Sequence, residues 1–513
     1  MSWIKFKSNF CNVIFVSFSV VNHKNIVFFQ GYLMSYQRFA RDVGFIGAVQ
    51  VLTSLGTFFL LPIITKSLGT YYYGLWAQIN ITVSLISSFA LMGLSMGLVR
   101  FLSSETDKKI IREAVYSIFF FVTMTGLLAS SLLYIFAEPL ATFGFRDPGA
   151  TYFIKAGSLL ILLNVIEPVS LFYFRVFRQI KKFSYFTFFE AFGKLLFILV
   201  LLKMGYGLLG VIAATLLIQA VIVLIAFMTI VSQIGFIVPR FTYIKKYLQF
   251  SLPLTPNSLI RWVTESSDRY LITYFLGLKS VGIYSAACSI GSLIQLFVSP
   301  LQLILLPELS KLFDENKIDK VIIYVSSSLR YFLFISIPAV FGLSALAKPL
   351  LGIFTTEDFL SGWFVIPVIA FSGLLAGIYQ IFANTLLIVK KTKTQTYLNF
   401  AAAVSNLLIN LFLIPSIGIV GAALSTLFSY FFMAILCIHI SLKYFKYEFY
   451  FHDIAKSILS SVAMYFFISH FEILSIRELL EMVGLGLLVY LFMMFLLRAF
   501  SDQELSLIKK YLQ

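Results

Sequence analysis

The stretch Leu68-Gly69-Thr-Tyr-Tyr-Tyr-Gly74-Leu75-Trp76 recurs in outline as Leu276-Gly277-Leu-Lys-Ser-Val-Gly282-Ile283-Tyr284, 208 residues later. Ser84-Leu85-Ile86 falls on Ser292-Leu293-Ile294 at the same offset. Further on, Gly207-Leu-Leu-Gly210 matches Gly418-Ile-Val-Gly421 at an offset of 211, and Thr215-Leu216 falls on Thr426-Leu427. Each match is weak alone, since glycine is frequent in membrane helices. Together, collinear and at nearly one offset, they indicate an internal duplication.

The duplicated sequence is membrane sequence. Hydrophobic residues make up 60% of the 513, charged residues only 12%, and mean hydropathy is +0.93. A soluble domain carries roughly 25% charge, and 57 phenylalanines exceed what a small aqueous core holds. A bilayer core asks for roughly 20 apolar residues per helix. Such segments fall at 43–65, 75–99, 115–137, 152–174, 184–202, 207–231, 250–276, 281–303, 321–346, 362–389, 395–414, 417–441, 456–471 and 482–499. The segment 250–276 fits least well, because it contains charges and prolines. The expectation is an all-α polytopic protein of about 14 transmembrane helices.

Charge placement sets an orientation. With residue 34 onward in the cytoplasm, the inside segments hold 25 Lys and Arg and the outside segments 6: Lys66, Arg146, Lys203, Lys279, Lys348 and Arg477. This is the positive-inside pattern, and it puts both termini in the cytoplasm of an inner or plasma membrane. It also accounts for the net charge of +16 without nucleic acid, for which no basic stripe with interleaved aromatics exists. An offset of 208 covers six spans, an even number, so the halves share one orientation, a parallel repeat about an axis along the membrane normal. The expected organisation is an N-lobe over 34–240 (spans 1–6), a C-lobe over 241–442 (spans 7–12), and spans 13–14 with a tail over 443–513. Residues 1–33 do not fit. Their apolar run, Cys11 to Val21, is too short to span and lacks a small-x-small cleavage site. The expected start is Met34, with 1–33 a dispensable or non-native extension.

The repeated residues also carry a family resemblance. Leu61-Pro62 through Leu68-Gly69, followed by Tyr73-Gly74-Leu75-Trp76, resembles the opening of Wzx-type polysaccharide-unit flippases. Those belong to the multidrug/oligosaccharidyl-lipid/polysaccharide exporter superfamily. Leu252-Pro253-Leu254-Thr-Pro256-Asn257 through Trp262 to Asp268-Arg269, Val281-Gly282-Ile283-Tyr284 and Leu306-Pro307 to Ser310 resemble the same family, in order over about 36–440. The resemblance implies a flippase moving oligosaccharide linked to polyprenyl phosphate or pyrophosphate to the outer leaflet. Its partners would be membrane lipids and polysaccharide polymerase or assembly proteins.

Nine charges fall inside the proposed spans: Lys155, Glu167, Glu190, Lys194, Arg261, Glu265, Asp268, Arg269 and Arg330. Each costs about 2.5–3.5 kcal/mol at a helix centre on insertion scales, so they are expected to face a hydrated cavity or one another. Glu190 and Lys194 stand i,i+4. Arg261, Glu265 and Arg269 run i, i+4, i+8 on one helix face, with Asp268 beside them. Arg261, Arg269, Arg330, Lys194 and Lys155 are candidate substrate-binding charges, and arginine's planar fork suits phosphate. Glu190, Glu265, Asp268 and Glu167 are candidate coupling or ion-pairing groups. For Lys155 and Arg330, snorkelling to the nearest interface is the competing reading. Pro253 and Pro256 mark a candidate hinge.

Enzymatic readings find no support. No gap between spans exceeds about 18 residues (232–249), too short for a catalytic domain, and there is no P-loop GxxxxGK(S/T). Three scattered cysteines and no metal-ligand spacing indicate neither disulfide nor metal nor cofactor. A drug/cation antiporter and a non-transporting scaffold for polysaccharide enzymes are the alternatives. The first would want a net acidic cavity, and the count here is five basic to four acidic.

Overall fold

A computed structural model describes residues 26–500. The run Cys11–Val21 and the last basic residues, Lys509 and Lys510, lie outside the described residues. The chain is helical throughout, with no strand among the described residues. Helix α1 (Ile26–Leu91) bends at Gly69 into two arms. There follow α2 (Leu94–Leu102), α3 (Lys108–Ile135), α4 (Thr151–Val176), α5 (Ile180–Lys203) and α6 (Gly207–Ile234). A short helix, α7 (Ile244–Ser251), leads into α8 (Thr255–Leu276). Then come α9 (Leu278–Gly291), α10 (Gln295–Asp314), α11 (Ile318–Ala345), α12 (Ala347–Phe354), α13 (Val365–Ile388), α14 (Thr392–Ile417), α15 (Ile419–Ser441), α16 (Phe451–Ser469) and α17 (Ile476–Leu496).

Eleven of these helical segments are long and apolar enough to cross a membrane; this is a multi-pass membrane protein. The expected fourteen differs for identifiable reasons. Val49–Leu91 is one continuous apolar segment of 43 residues, about two bilayer thicknesses at 1.5 Å per residue. Helix α8 carries the charges already noted, and α16 carries Asp453 and Lys456, which take both below the apolarity of a plain span. The first helix also begins earlier than expected, at Ile26 rather than near residue 43.

The repeat is visible in the backbone. Gly69 has φ 73° and ψ −178°, and its counterpart Gly277 has φ 82° and ψ 172°. An L side chain disfavours that region, so each glycine ends one arm and starts the next at the same place in its half. Helix pairings recur as well. Packing of α3 on α4, α4 on α6, α5 on α6 and α1 on α5 is repeated by α11 on α13, α13 on α15, α14 on α15 and α8 on α14. Helices α16 and α17 pack on each other, and α16 lies along α11.

The halves meet where the second arm of α1 crosses α9. A Cβ on Gly74 would stand 1.9 Å from the Leu278 carbonyl oxygen, and one on Gly282 would stand 2.0 Å from that of Thr70. Thr70 and Leu278 are themselves 208 apart, so the contact is two-fold symmetric. Only glycine permits backbones this close. Two loops brace the same end. Phe145 packs edge-on against Tyr270, and Arg146 donates to the Tyr274 carbonyl (3.1 Å) while lying over its ring (3.7 Å). From the other half, Phe354 packs on Phe58 and its carbonyl accepts from Thr65 (3.3 Å). Both loops begin with one motif, Ala137-Glu-Pro-Leu140 and Ala347-Lys-Pro-Leu350, at an offset of 210.

Candidate functional site

Helix α8 touches α1, α9 and α14. Pro253 lies in a 3-10 turn (Leu252–Leu254) and Pro256 in the first turn of α8. There a proline forfeits no helical hydrogen bond. The chain therefore changes bonding pattern at Ser251–Thr255 without a mid-helix break. Arg261 and Glu265 are exposed, one turn apart, and no ion pair among the described residues joins Glu265 to Arg261 or to Arg269.

Arg269 is held by its sequence neighbour instead. Its guanidinium stands 3.3 Å from the Asp268 carboxylate and donates to the Glu265 backbone carbonyl (2.8 Å) and the Ser285 hydroxyl (3.4 Å). Side-chain exposure is 18% for Arg269 and 5% for Asp268. Asp268 also accepts from the Tyr284 hydroxyl and from the Arg269 amide (2.8 Å). The helical spacing pointed to Glu265 as the partner. The i,i+1 pair forms because Asp268 turns toward α9, where Tyr284 can donate to it.

A second group assembles in the first half. Lys194 and Glu190 form an i,i+4 ion pair on α5. The Gln219 amide of α6 donates to Asn164 (2.8 Å) and to Glu167 (3.0 Å) of α4. Oε1 of the buried Glu167 has no hydrogen-bond partner among the described residues. Gln219 and Asn164 escaped a reading based on charge, since neutral amides leave no trace in hydropathy. Lys155 and Arg330 join neither group. Lys155 lies over the ring of Tyr134 (5.4 Å). Arg330 binds Asp453 of α16 at 2.8 Å and the Ala499 carbonyl at 3.3 Å, between the rings of Phe334 and Tyr450. It ties α11 to the C-terminal helices.

A cavity of about 490 Å³ opens between both arms of α1 and the α9–α10 segment. Thr53, Ser54, Thr57, Tyr73, Trp76, Ser289, Ser292, Gln295 and Ser299 line it together with six apolar side chains, and no charged residue does.

Comparisons with known proteins agree with this architecture. A family profile described as "Polysaccharide biosynthesis protein" matches residues 63–363, well over half of the chain. The chain is 27% identical over 348 residues to the succinoglycan biosynthesis transport protein ExoT of Rhizobium meliloti, covering 65% of this chain and 66% of ExoT. It is 24% identical over 256 residues to the probable low-salt glycan biosynthesis flippase Agl15 of Haloferax volcanii, covering 49% of this chain and 54% of Agl15. The chain thus spans just under two thirds and about half of these curated relatives. In fold it matches the lipid II flippase MurJ in an inward closed conformation, with TM-score 0.74 at 18% identity over 88% of this chain and 98% of that one. An inward-facing MATE family transporter of the MOP superfamily follows, with TM-score 0.62 at 12% identity over 77% and 93%. The chain belongs to the polysaccharide biosynthesis protein family.

Proposed function

We propose that the protein is a flippase that turns oligosaccharide linked to polyprenyl phosphate or pyrophosphate over from the cytoplasmic to the outer leaflet, by alternating access between two lobes. The observation that carries this is the meeting of two like halves at paired glycines beside the charged helix α8, in a chain of this family. The lobes are residues 34–240 and 241–442, followed in sequence by 443–513, and the recurring helix pairings support that division. Lys66, Arg146, Lys203, Lys279 and Lys348 mark the end where the glycines meet as external, and both termini are then cytoplasmic. The names of ExoT and Agl15 support a glycan as cargo.

Within the site, Arg261 is the exposed arginine and offers its fork to the lipid phosphate. Arg269, steadied by Asp268, supplies a second positive centre two turns away. Lys194, Glu190 and Glu167 form a polar group in the first lobe suited to ion coupling, and the Ser251–Thr255 turn with Pro253 and Pro256 is the hinge. Deleting the gene should trap lipid-linked oligosaccharide on the cytoplasmic leaflet and deplete surface polysaccharide. Intact surface glycans with heightened sensitivity to cationic drugs would instead establish a drug/cation antiporter.

A further inference from the structure

We infer that the uncharged cavity between α1 and α9–α10 is a binding site for a neutral glycosyl unit, with the sugar's hydroxyls donating to its walls. This rests on the flippase reading above and deepens it by naming the class of sugar.

Hydrogen-bond direction is the first argument. Thr53 and Thr57 donate to the carbonyls of Gln50 and Thr53 (both 3.0 Å). Ser289, Ser292 and Ser299 donate to the carbonyls of Ser285 (2.8 Å), Ser289 (3.1 Å) and Gln295 (3.0 Å). A hydroxyl has one proton and two lone pairs. With five protons committed to the helices' own backbones, these hydroxyls present acceptors, while Trp76 and Gln295 add donors. A ligand whose hydroxyls both donate and accept fits this wall, and a carboxylate would enter it without a counter-charge.

The duplication supplies an independent argument. At the 208-residue offset marked by Gly69 with Gly277 and Gly74 with Gly282, Thr53 and Thr57 are the counterparts of Arg261 and Glu265. Leu61 is the counterpart of Arg269. One copy of the surface carries charge and the other carries hydroxyls and the rings of Trp76 and Tyr73. A phosphate-linked sugar has the same division: a charged end, and uncharged rings whose C–H faces lie against aromatic rings. The volume, about 490 Å³, falls within the roughly 300–1,000 Å³ of small-ligand sites.

Full-length protein in lipid nanodiscs tests this with three probes: farnesyl diphosphate, the same carrying one glucose, and the same carrying glucuronate. Binding is followed by tryptophan emission, with Trp76→Phe identifying the signal from the cavity. The glucosyl probe should quench Trp76, and the glucuronosyl probe should bind about tenfold more weakly. Thr57→Val with Ser292→Ala should weaken the glucosyl probe about tenfold while farnesyl diphosphate binds as before, which also shows that the variant is folded. Equal binding of glucosyl and glucuronosyl probes overturns the inference, as does a double variant that weakens all three probes alike or none. If the unaltered protein binds none of the three, the flippase reading itself falls and takes this inference with it.

Discussion

Gly74→Ala probes the contact between the halves. The added methyl would meet the Leu278 carbonyl oxygen at 1.9 Å and the Gly282 nitrogen at 2.8 Å. Both are backbone atoms, so no side chain can swing away. Restoring an ordinary contact of 3.4 Å or more at the oxygen requires α1 and α9 to part by about 1.5 Å. Overpacking of this kind costs about 1–3 kcal/mol, and it falls only on the conformation in which the helices touch. The externally closed state should then lose a factor of about 5–150 against the open one. A cysteine placed at Ser292, in the cavity, reports this when the three native cysteines are removed. An impermeant maleimide applied to whole cells should label it faster in Gly74→Ala by that factor. Gly282→Ala should do the same, because its methyl would stand 2.0 Å from the Thr70 carbonyl oxygen. Gly484→Ala, with nothing within 4 Å, should not alter labelling. If Gly74→Ala reaches normal abundance and labels no faster than the parent, the crossing is not the external seal.

Cysteines at Lys203 and Lys348 should react with an impermeant reagent on intact cells, and those at Lys246 and Lys391 only after permeabilisation; the reverse pattern overturns the orientation. Arg330→Leu should lower thermal stability by about 1–3 kcal/mol by leaving Asp453 only the longer ion pair with Lys456 (4.0 Å), and adding Asp453→Leu should recover part of it, read from the melting of purified protein. Arg269→Ala should strand the buried Asp268 at a cost of about 3–5 kcal/mol. Adding Asp268→Asn should restore abundance but not surface glycan if Arg269 also serves the phosphate, whereas recovery of both would make it structural. Arg269→Lys should be partly active in the same complementation assay, since it keeps the charge and loses the fork.

The architecture was legible because membranes impose one requirement, a closed helical backbone with apolar sides, and hydropathy reads that directly. Duplication was legible for a different reason. Gly69, Gly74, Gly277 and Gly282 sit where a backbone turn or a backbone contact admits no side chain, so both copies carry the same residue at the same offset. The segments at 137–150 and 347–362 illustrate the limit. Their shared Ala-x-Pro-Leu falls at the ends of spans, where hydropathy carries little signal, yet they brace the same end of the molecule.

The candidate site was less legible, because spacing along one helix predicts only partners on that helix. Arg261, Glu265 and Arg269 share a face of α8, which made Glu265 the natural partner for Arg269. The partner is Asp268, because Tyr284 approaches from α9 and gives that carboxylate a donor. Arg330 shows the same limit over a longer range. Its counter-charge, Asp453, lies 123 positions away on a helix whose own polarity had placed it partly outside the membrane. The cavity wall was harder still. Thr53, Thr57 and Ser292 carry no charge and are common in membrane helices, and nothing in their local sequence separates a cavity-lining hydroxyl from one bonded into its own helix. These residues are both at once: each hydroxyl donates to its own helix and each residue lines the cavity. Comparing the two copies resolves the ambiguity. Where one half places Arg261 and Glu265, the other places Thr53 and Thr57, and under the inference above the two halves would contact different parts of one ligand.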